Sequence, residues 1–219
     1  MTVDPGKMTV DEAMTTTRAV RKRLDLERPV ARELLLECLH VAFQAPNGSN
    51  RQLWQWVVVE DADTRAAMAQ IYNDAIEVSM AESVAGQALA PPIDPSTPAN
   101  QRMLSSVGYL REHLHEVPVL VVPAVAGRLD GASISEQAHL WGSVLPAVWS
   151  FMLALRARGL GSVWTTVHLK QEARMAELLG IPYAEYTQAG MFPVAYTIGT
   201  DFKPGPRAAL EDHIHWNAW

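Results

Sequence analysis

The run LWGSVLPAVWSFMLALRARGLGSVW, residues 140–164, determines the centre of the predicted fold. Its first 16 residues contain no charged residue and no histidine, so a helix over them is apolar on every side, as buried helices are. A membrane span needs about 20 apolar residues, whereas this stretch is shorter and contains Pro146. We therefore predict a long buried helix over residues 135–158, which runs through the centre of the fold or through a subunit interface. It is ended by Gly159 and followed by a strand over residues 162–167.

The hydrophobic pattern on either side of this run predicts alternating helices and short strands. Further helices are predicted over residues 9–22, 29–45, 61–83, 103–116 and 171–179, and further strands over residues 54–60, 117–125 and 191–199. The pattern indicates an α+β fold in three layers: a small mixed sheet of about four or five strands wrapped by helices, with the long helix buried at the centre. The proline-rich residues 84–102 carry little core potential, so they predict a lid-like excursion at about 80–106.

Composition restricts the class of protein. With 219 residues, of which 48% are hydrophobic, the chain is long enough for one domain with a substantial core. A net charge of −6 argues against a nucleic-acid partner, because neutralising phosphates needs a basic face. The single cysteine, Cys38, excludes an internal disulfide and suits a reducing compartment, and the N-terminal residues contain no apolar signal segment. We expect a cytoplasmic protein with neither a membrane nor a nucleic-acid partner.

No motif for metal binding or for covalent catalysis is present in the sequence. GLGSVW, residues 159–164, approaches the Gly-x-Gly-x-x-Gly dinucleotide motif, but it ends in Trp164 and follows a helix instead of opening one. The histidine pairs at positions 113/115 and 213/215 lack cysteine partners and zinc-helix spacing, and there is no Gly-x-Ser-x-Gly nucleophile. We therefore predict no metal site and no side chain that acts as a catalytic acid, base or nucleophile.

A polar loop separates two apolar segments at APNGSNRQLW, residues 45–54. It carries three amide side chains, a glycine and a hydroxyl, and it contains no Asp, Glu or His. Such a loop has more hydrogen-bonding groups than a connector needs, and it has no acid or base of its own. It indicates either a plain turn or a site for a bound group that supplies the chemistry.

Two basic stretches lie near opposite ends of the chain. In TTTRAVRKR, Arg18 and Arg21 are three residues apart, so on a helix they share one face and together suit a dianion. In DFKPGPR, Lys203 and Arg207 lie on a loop stiffened by proline and glycine. Each stretch alone is typical of a solvated surface, whereas the two together would close a phosphate site from two sides.

In combination and in this order, these stretches resemble the FMN-dependent nitroreductase family. The family's Arg-Arg-Ser-x-Arg motif corresponds to TRAVR, its Ala-Pro-Ser-x-x-Asn-x-Gln-Pro-Trp loop to APNGSNRQLW, its central helix with Gly-Leu-Gly to SVLPAVWSFMLALRARGLG, and its basic C-terminal loop to DFKPGPR. The likeness covers nearly the whole chain and implies a single FMN-binding domain over residues 1–219, with a C-terminal arm over residues 208–219. Thr17, Ala19 and Asn47 stand where Arg, Ser and Ser are usual in the family.

The resemblance implies a homodimeric oxidoreductase with bound FMN, reduced by NADH or NADPH, that passes hydride from the flavin N5 to a nitroaromatic or quinone-type small-molecule oxidant in a ping-pong cycle. It leaves open an FMN-sequestering protein with little turnover, and other flavin reactions on the same fold, such as dehalogenation or flavin destruction. It also implies that the polar loop faces the flavin from the partner subunit and that Arg21 lies near the N1/O2 edge of the ring. The implied FMN-binding residues are Arg18, Ala19, Val20, Arg21, Pro46, Asn47, Gly48, Ser49, Asn50, Gln52, Pro146, Trp164, Thr165, Thr166, His168, Lys203 and Arg207.

Overall fold

The computed structural model describes residues 8–87 and 93–219. Within these ranges each predicted helix and strand overlaps an observed one, and one short strand, β4, is additional. The strand predicted over residues 162–167 is wrong in position, because the observed strand covers residues 160–162. The helices are α1 (Val10–Thr16), α2 (Arg32–Ala42), α3 (Ala62–Val84), α4 (Pro98–His113), α5 (Ile134–Ala157) and α6 (Glu172–Leu179). The strands are β1 (Trp54–Val59), β2 (Val119–Ala126), β3 (Leu160–Ser162), β4 (Tyr186–Gln188) and β5 (Phe192–Tyr196).

The strands form one sheet in the order β1-β2-β5-β3, and β4 pairs with β2. The pairings between these strands are all antiparallel. A parallel pairing, the isolated bridge between Ala19 and Ser162, extends the sheet past β3. Residues 119–125 of β2 are buried, which is typical of a strand with both faces covered. β2 is therefore the central strand of a small sheet that carries a parallel element at one edge.

Two hydrophobic clusters cover the two faces of the sheet. On one face, α2 and α5 contribute Leu35, Phe151 and Leu155 to the cluster that contains side chains of β2 and β5. On the other face, α3 and α6 contribute Met68 and Met175 to a second cluster. The order helix, sheet, helix confirms the predicted three-layer α+β fold.

The long helix α5 is a core element, as predicted. It begins with a capping box in which Ser133 and Glu136 satisfy each other's backbone N–H groups. Phe151 and Leu155 are fully buried. By length and composition α5 could cross a membrane, but 44% of its apolar 18-residue window is buried inside the protein. The buried part of the helix packs against α2 and the sheet.

The first predicted helix ends at Thr16, six residues before its predicted end, so this part of the prediction is wrong. Beyond it the chain is extended, and the Val20 N–H donates to the Ser162 carbonyl at 2.9 Å. Pairing with the edge of the sheet satisfies backbone groups that a helix would otherwise satisfy internally. Arg18 and Arg21 therefore do not share a helical face.

The predicted lid region contains more helix than expected. α3 continues to Val84, and α4 begins at Pro98 with Thr97 as its N-cap, which accepts a hydrogen bond from the Asn100 N–H at 3.2 Å. Proline fits the first turn of a helix, because its missing N–H would have no partner there. Residues 88–92 of the predicted excursion lie outside the described residues.

Candidate functional site

Two neighbouring segments run in the same direction and line the same two cavities. Residues 17–21 lie beside residues 160–166, and the parallel bridge between Ala19 and Ser162 joins them. The earlier part of each segment lines a small cavity, and the later part of each lines a large cavity. Because an extended chain advances about 3.3 Å per residue, the two cavities follow each other along one continuous edge.

The small cavity, of about 10 Å³, lies between the N-terminal basic segment, the end of α5 and the C-terminal loop. It is lined by Thr17, Arg18, Val20, Met152, Arg156, Leu160, Gly161, Ser162, Thr197 and Phe202. The Arg18 guanidinium lies against Gly205, where an added Cβ would overlap Nη1 of Arg18. The two basic stretches of the sequence therefore meet at this cavity.

The cations around the small cavity differ in how their charge is compensated. Arg23 pairs with Asp201 at 2.6 Å, and its hydrogen bond lowers the pKa of that carboxyl. Lys203 and Arg207 are exposed, and Arg207 Nη1 donates to a carbonyl of its own loop at 2.9 Å. In residues 8–87 and 93–219, no carboxylate forms an ion pair with Arg18. The cavity is therefore lined mainly by apolar side chains, with Arg18 and Arg156 as its two cationic lining residues.

The large cavity, of about 310 Å³, lies between α3, α4 and the segment after β3. It is lined by Arg21, Tyr72, Ile76, Ser79, Met80, Val107, Trp164, Thr165, Thr166 and Val167. Nη1 of Arg21 donates to Ser106 Oγ at 3.4 Å, and no carboxylate of the described residues pairs with it. Burial lowers the pKa of Arg21 and raises the pKa of Tyr72. Apolar walls with one cation suit a flat apolar ring that has a polar edge.

Hydrogen bonds to the chain before β5 fix the wall of the large cavity. Trp164 Nε1 donates to the Ala189 carbonyl at 2.8 Å, and Thr165 exchanges two backbone hydrogen bonds with Met191 at 2.9 and 3.0 Å. Gly190, which lies between these partners, has a φ of +145°, and an added Cβ there would overlap the indole of Trp164. Glycine is therefore required at this position.

The polar loop lies on α5, away from both cavities. The Gly48 N–H donates to Ser143 Oγ at 3.0 Å, and an added Cβ on Gly48 would overlap the ring of His139. Asn47 Oδ1 accepts a hydrogen bond from the Gln52 N–H at 2.9 Å. These contacts hold the loop tightly against the first half of the helix.

The backbone of the loop adopts an unfavourable conformation. Ser49, Asn50 and Gln52 have φ angles of 53°, 52° and 52°, in the left-handed region that residues other than glycine rarely occupy. Their side chains are exposed, as is Pro46. Backbone strain of this kind is concentrated at functional sites, so the strained loop is a candidate binding surface.

A single chain does not bring the polar loop to the two cavities. Ser143, beneath the loop, and Arg156, in the small cavity, are 13 residues apart on α5, which corresponds to ~20 Å along the helix axis. Pro146, also a predicted site residue, is half-buried inside α5 between these two positions. The predicted site residues therefore fall into two groups on different parts of the surface.

His168 lies away from both cavities. It is fully buried, and neither ring nitrogen has a hydrogen-bond partner among the described residues. Burial lowers its pKa to about 4, and the neighbouring Gln188 opposes this shift. Ala19 is exposed at the edge of the sheet. The structure thus brings Arg18 and Val20 to the small cavity, and Arg21, Trp164, Thr165 and Thr166 to the large one.

The lining residues that were missed from the sequence include Tyr72 and Arg156. Tyr72 belongs to the apolar pattern of α3, and nothing in the sequence distinguishes it from an ordinary core residue. Arg156 carries a usable signal, because it is a charged residue at the end of an otherwise apolar run.

Comparison with known proteins shows the family of the chain. The nitroreductase family model matches residues 14–196. YodC of Bacillus subtilis (strain 168), named provisionally as an NAD(P)H nitroreductase, is 28% identical over 150 residues, which are 65% of this chain and 68% of that protein. Iodotyrosine deiodinase bound to FMN and 3-iodo-L-tyrosine aligns with a TM-score of 0.70 and 23% identity over 96% of this chain and 100% of that chain. NfnB, an FMN and NADPH-dependent nitroreductase from sphigopyxis sp. strain HMH, aligns with a TM-score of 0.66 and 20% identity over 97% of this chain and 100% of that chain. The two structures show a shared fold, and the family match over most of the sequence shows that the chain belongs to the nitroreductase family.

Proposed function

We propose that the protein is an FMN-dependent NAD(P)H oxidoreductase that reduces nitroaromatic or quinone-type acceptors. The pair of parallel segments carries this proposal, because Arg18, near their start, lies against the C-terminal basic loop and their later residues line a large, mainly apolar cavity. A ligand with an anionic end, an extended linker and a flat ring fits this order. FMN has this form, and both aligned structures are described with FMN.

The donor groups present fit the two ends of FMN. Arg18 lies against Gly205, and with no carboxylate of the described residues as its partner its guanidinium is available for a phosphate. Arg21 also has no ion-pair partner among the described residues, so its guanidinium suits the polar edge of the ring. The residues that would hold the cofactor are Arg18, Lys203 and Arg207 at the phosphate, and Arg21, Trp164, Thr165 and Thr166 at the ring.

Bound FMN supplies the hydride chemistry, accepting hydride from NAD(P)H and passing it to the acceptor. Arg21 places a positive charge on the cavity wall, and this favours negative charge on the polar edge of the ring. Ile76, Met80 and Trp164 provide apolar surface that suits a planar acceptor. Tyr72, whose pKa is raised by burial, keeps its proton at neutral pH. The chain therefore positions the reactants, and no side chain has to act as a nucleophile.

We propose further that the protein is a homodimer whose sites are shared between chains. The polar loop lies ~20 Å along α5 from the small cavity, so it would contact the flavin held by the partner subunit. One chain leaves Trp149 of α5 41% exposed, and Trp216 and Trp219 of the C-terminal arm 85% and 102% exposed. Exposed apolar surface of this kind marks an interaction site. The arm over residues 208–219 would then pack on the partner.

Two organisational features belong to the same proposal. The chain would act as a single FMN-binding domain, and Met80 and Val107, at the two ends of the predicted excursion over residues 80–106, line the large cavity. A cytoplasmic location is supported by Cys38, which is free and buried, as expected for a reducing compartment.

The test is a visible spectrum of the purified protein, followed by turnover measurements. We expect a yellow protein with roughly one FMN per chain, bleached by NADPH or NADH and restored by a quinone or a nitroaromatic compound. Release of FAD, or failure to take up FMN, would contradict the proposal. Stable FMN binding without turnover of any acceptor would indicate an FMN-sequestering protein, and product analysis would separate nitro or quinone reduction from dehalogenation.

A further inference from the structure

Arg156 is a buried cation in a neutral environment. It is 7% exposed, and its guanidinium lies 4.8 Å from the centre of the Phe202 ring. Nε and Nη2 donate to Thr16 Oγ1 at 3.3 and 3.2 Å, and Nη2 also donates to the Thr200 carbonyl at 3.2 Å. These acceptors are all uncharged. A buried charge without a counterion is costly, so the site as it stands is electrostatically incomplete.

The described residues supply no counterion for Arg156. None of the carboxylates in residues 8–87 and 93–219 forms an ion pair with it. Glu12 influences its pKa from beyond ion-pair distance, and the Glu12 carboxylate is bound in the capping box of α1. Burial and the nearby charge of Arg23 both lower the pKa of Arg156. Its surroundings therefore favour the arrival of a negative charge.

Arg158, two residues farther along, shows that the end of α5 does not by itself leave an arginine without a carboxylate partner. Its Nε pairs with Glu37 at 3.2 Å, and its Nη1 donates to the Ala154 carbonyl at 3.2 Å. Both arginines lie at the C-terminal end of α5, where the helix dipole favours a cation. The dipole is common to both, so it does not account for a buried arginine that has no carboxylate.

The small cavity is shared by Arg156 and Arg18. Two guanidinium groups on one cavity repel each other unless an anion lies between or beside them. A guanidinium has five N–H donors, and Nη1 of Arg156 makes no hydrogen bond to the described residues. We infer that Arg156 is a further binding residue for the phosphate of the cofactor, supplying a buried charge beside the half-buried Arg18 to a phosphate at the mouth of the cavity, which itself has room for about one water molecule. This inference rests on the proposed function.

Flavin affinities separate this role from a structural one. FMN and riboflavin binding are measured, by flavin fluorescence, for the wild type, Arg156→Gln, Arg156→Lys and the matched control Arg158→Gln. Loss of one charge-assisted hydrogen bond predicts a 10- to 100-fold weaker affinity of Arg156→Gln for FMN, by order of magnitude, with riboflavin affinity changed by less than about threefold. Arg156→Lys is expected to recover most of the FMN affinity, and Arg158→Gln to leave the ratio of the two affinities unchanged. Equal losses for FMN and riboflavin in Arg156→Gln, or no loss for either, would overturn the inference.

A second measurement keeps this test independent of the proposed function. Thermal unfolding is followed with and without inorganic phosphate, and Arg156→Met replaces Arg156→Gln if the latter does not fold. We expect phosphate to raise the Tm of the wild type and of Arg158→Gln, and to raise that of the Arg156 variant clearly less. If the wild type binds no flavin, the proposed function fails, while this difference in Tm still supports an anion site at Arg156. If phosphate raises the Tm of all three proteins equally, Arg156 has no part in anion binding.

Discussion

The two ends of α5 present different chemical environments. Near its C-terminal end, Arg156 and Arg18 place two guanidinium groups, without ion-pair partners among the described residues, on one small cavity. Over its first half, the loop of residues 46–52 offers amides, a hydroxyl and backbone groups, held by the hydrogen bond from Gly48 to Ser143. The first environment suits a dianion, and the second suits a neutral planar ring. One chain therefore provides both kinds of surface, but ~20 Å apart along α5, which favours a site assembled from two chains.

The largest expected effect comes from mixing two inactive variants. Arg18→Glu reverses the charge at the cationic end, and Asn50→Asp puts a charge on the neutral loop, so each homodimer is expected to lose nearly all activity. A heterodimer has one site with both defects and one with neither. NADPH-dependent quinone reduction should therefore return, up to one working site in each heterodimer, once subunit exchange is demonstrated by mass spectrometry.

Mixing Arg18→Glu with Arg207→Glu is the matched control. Both changes lie on the cationic side, so each site of that heterodimer keeps one defect and activity should stay absent. If the first mixture also remains inactive after exchange, the loop does not contact the flavin held by the partner subunit. The two ends of α5 then do not contribute to one shared site.

A third region, the core behind the large cavity, contains the buried His168. It differs from the two ends of α5 because it should make the stability of the fold depend on pH. The ordinary pKa of His168 is 6.5 and the folded-state pKa is about 4. Below pH 6.5 the unfolded chain therefore binds a proton that the folded chain does not, and stability falls as the pH decreases from 6.5 towards 4. The total loss is about 3 kcal/mol. Urea unfolding at pH 7 and at pH 4.5 should show this loss in the wild type.

The variant His168→Leu isolates this contribution, because paired carboxylates such as Asp74 also lose stability in acid and are unchanged in the variant. We expect the difference in unfolding free energy between the wild type and the variant to depend on pH in the stated direction. A difference that is constant from pH 7 to pH 4.5 would show that the pKa of His168 in the folded state is close to its ordinary value, as for a solvated imidazole.

The parts of the fold that were predicted correctly depend on local sequence. The capping residues Ser133 and Asp61 precede α5 and α3, and the apolar run that became β2 needs no distant partner to be recognised. Residues 17–22 were predicted wrongly because the bridge between Ala19 and Ser162 of β3 holds this segment at the edge of the sheet. Ser162 lies far away in the sequence, so the local pattern does not show this pairing. β4 was missed because three residues are too short for a periodic signal.

The candidate site, like the fold, could be predicted only in part from the sequence. The stretches that contain Arg18, Arg21 and Gly48 were recognised from residue type and spacing alone. Which of them share a cavity was not predictable, because it depends on how the segments pair. Arg156 was missed for a related reason: the absence of a counterion is a property of the folded surroundings, whereas the sequence shows only a charge at the end of a helix.

Single substitutions at the two ends should differ in ligand dependence and in size. Arg18→Ala is expected to weaken FMN binding by about 1.5–3 kcal/mol, the range for a charge-assisted hydrogen bond, and to leave riboflavin binding nearly unchanged. Asn50→Ala removes a neutral hydrogen-bonding group, so it should weaken both flavins equally, by about 1 kcal/mol. Isothermal titration with both ligands measures the two values. A loss of riboflavin affinity in Arg18→Ala as large as the FMN loss would mean that Arg18 acts through folding.

The smallest expected effects come from glycines that touch the two ends. In Gly205→Ala the new Cβ meets the far end of the flexible Arg18 side chain, so the guanidinium shifts and FMN affinity falls by about 1 kcal/mol while riboflavin affinity is retained. In Gly48→Ala the Cβ meets the ring of His139 beneath the loop, so the loop moves and the binding of both flavins should weaken together, by about 0.5–1 kcal/mol.

Gly108→Ala is the control, because that glycine lies inside α4 with nothing within 4 Å of an added Cβ. It should raise stability by about 0.5–1 kcal/mol without changing either affinity. Should Gly205→Ala and Gly48→Ala show the same FMN-to-riboflavin ratio, the two surfaces would not be recognising different ends of the ligand.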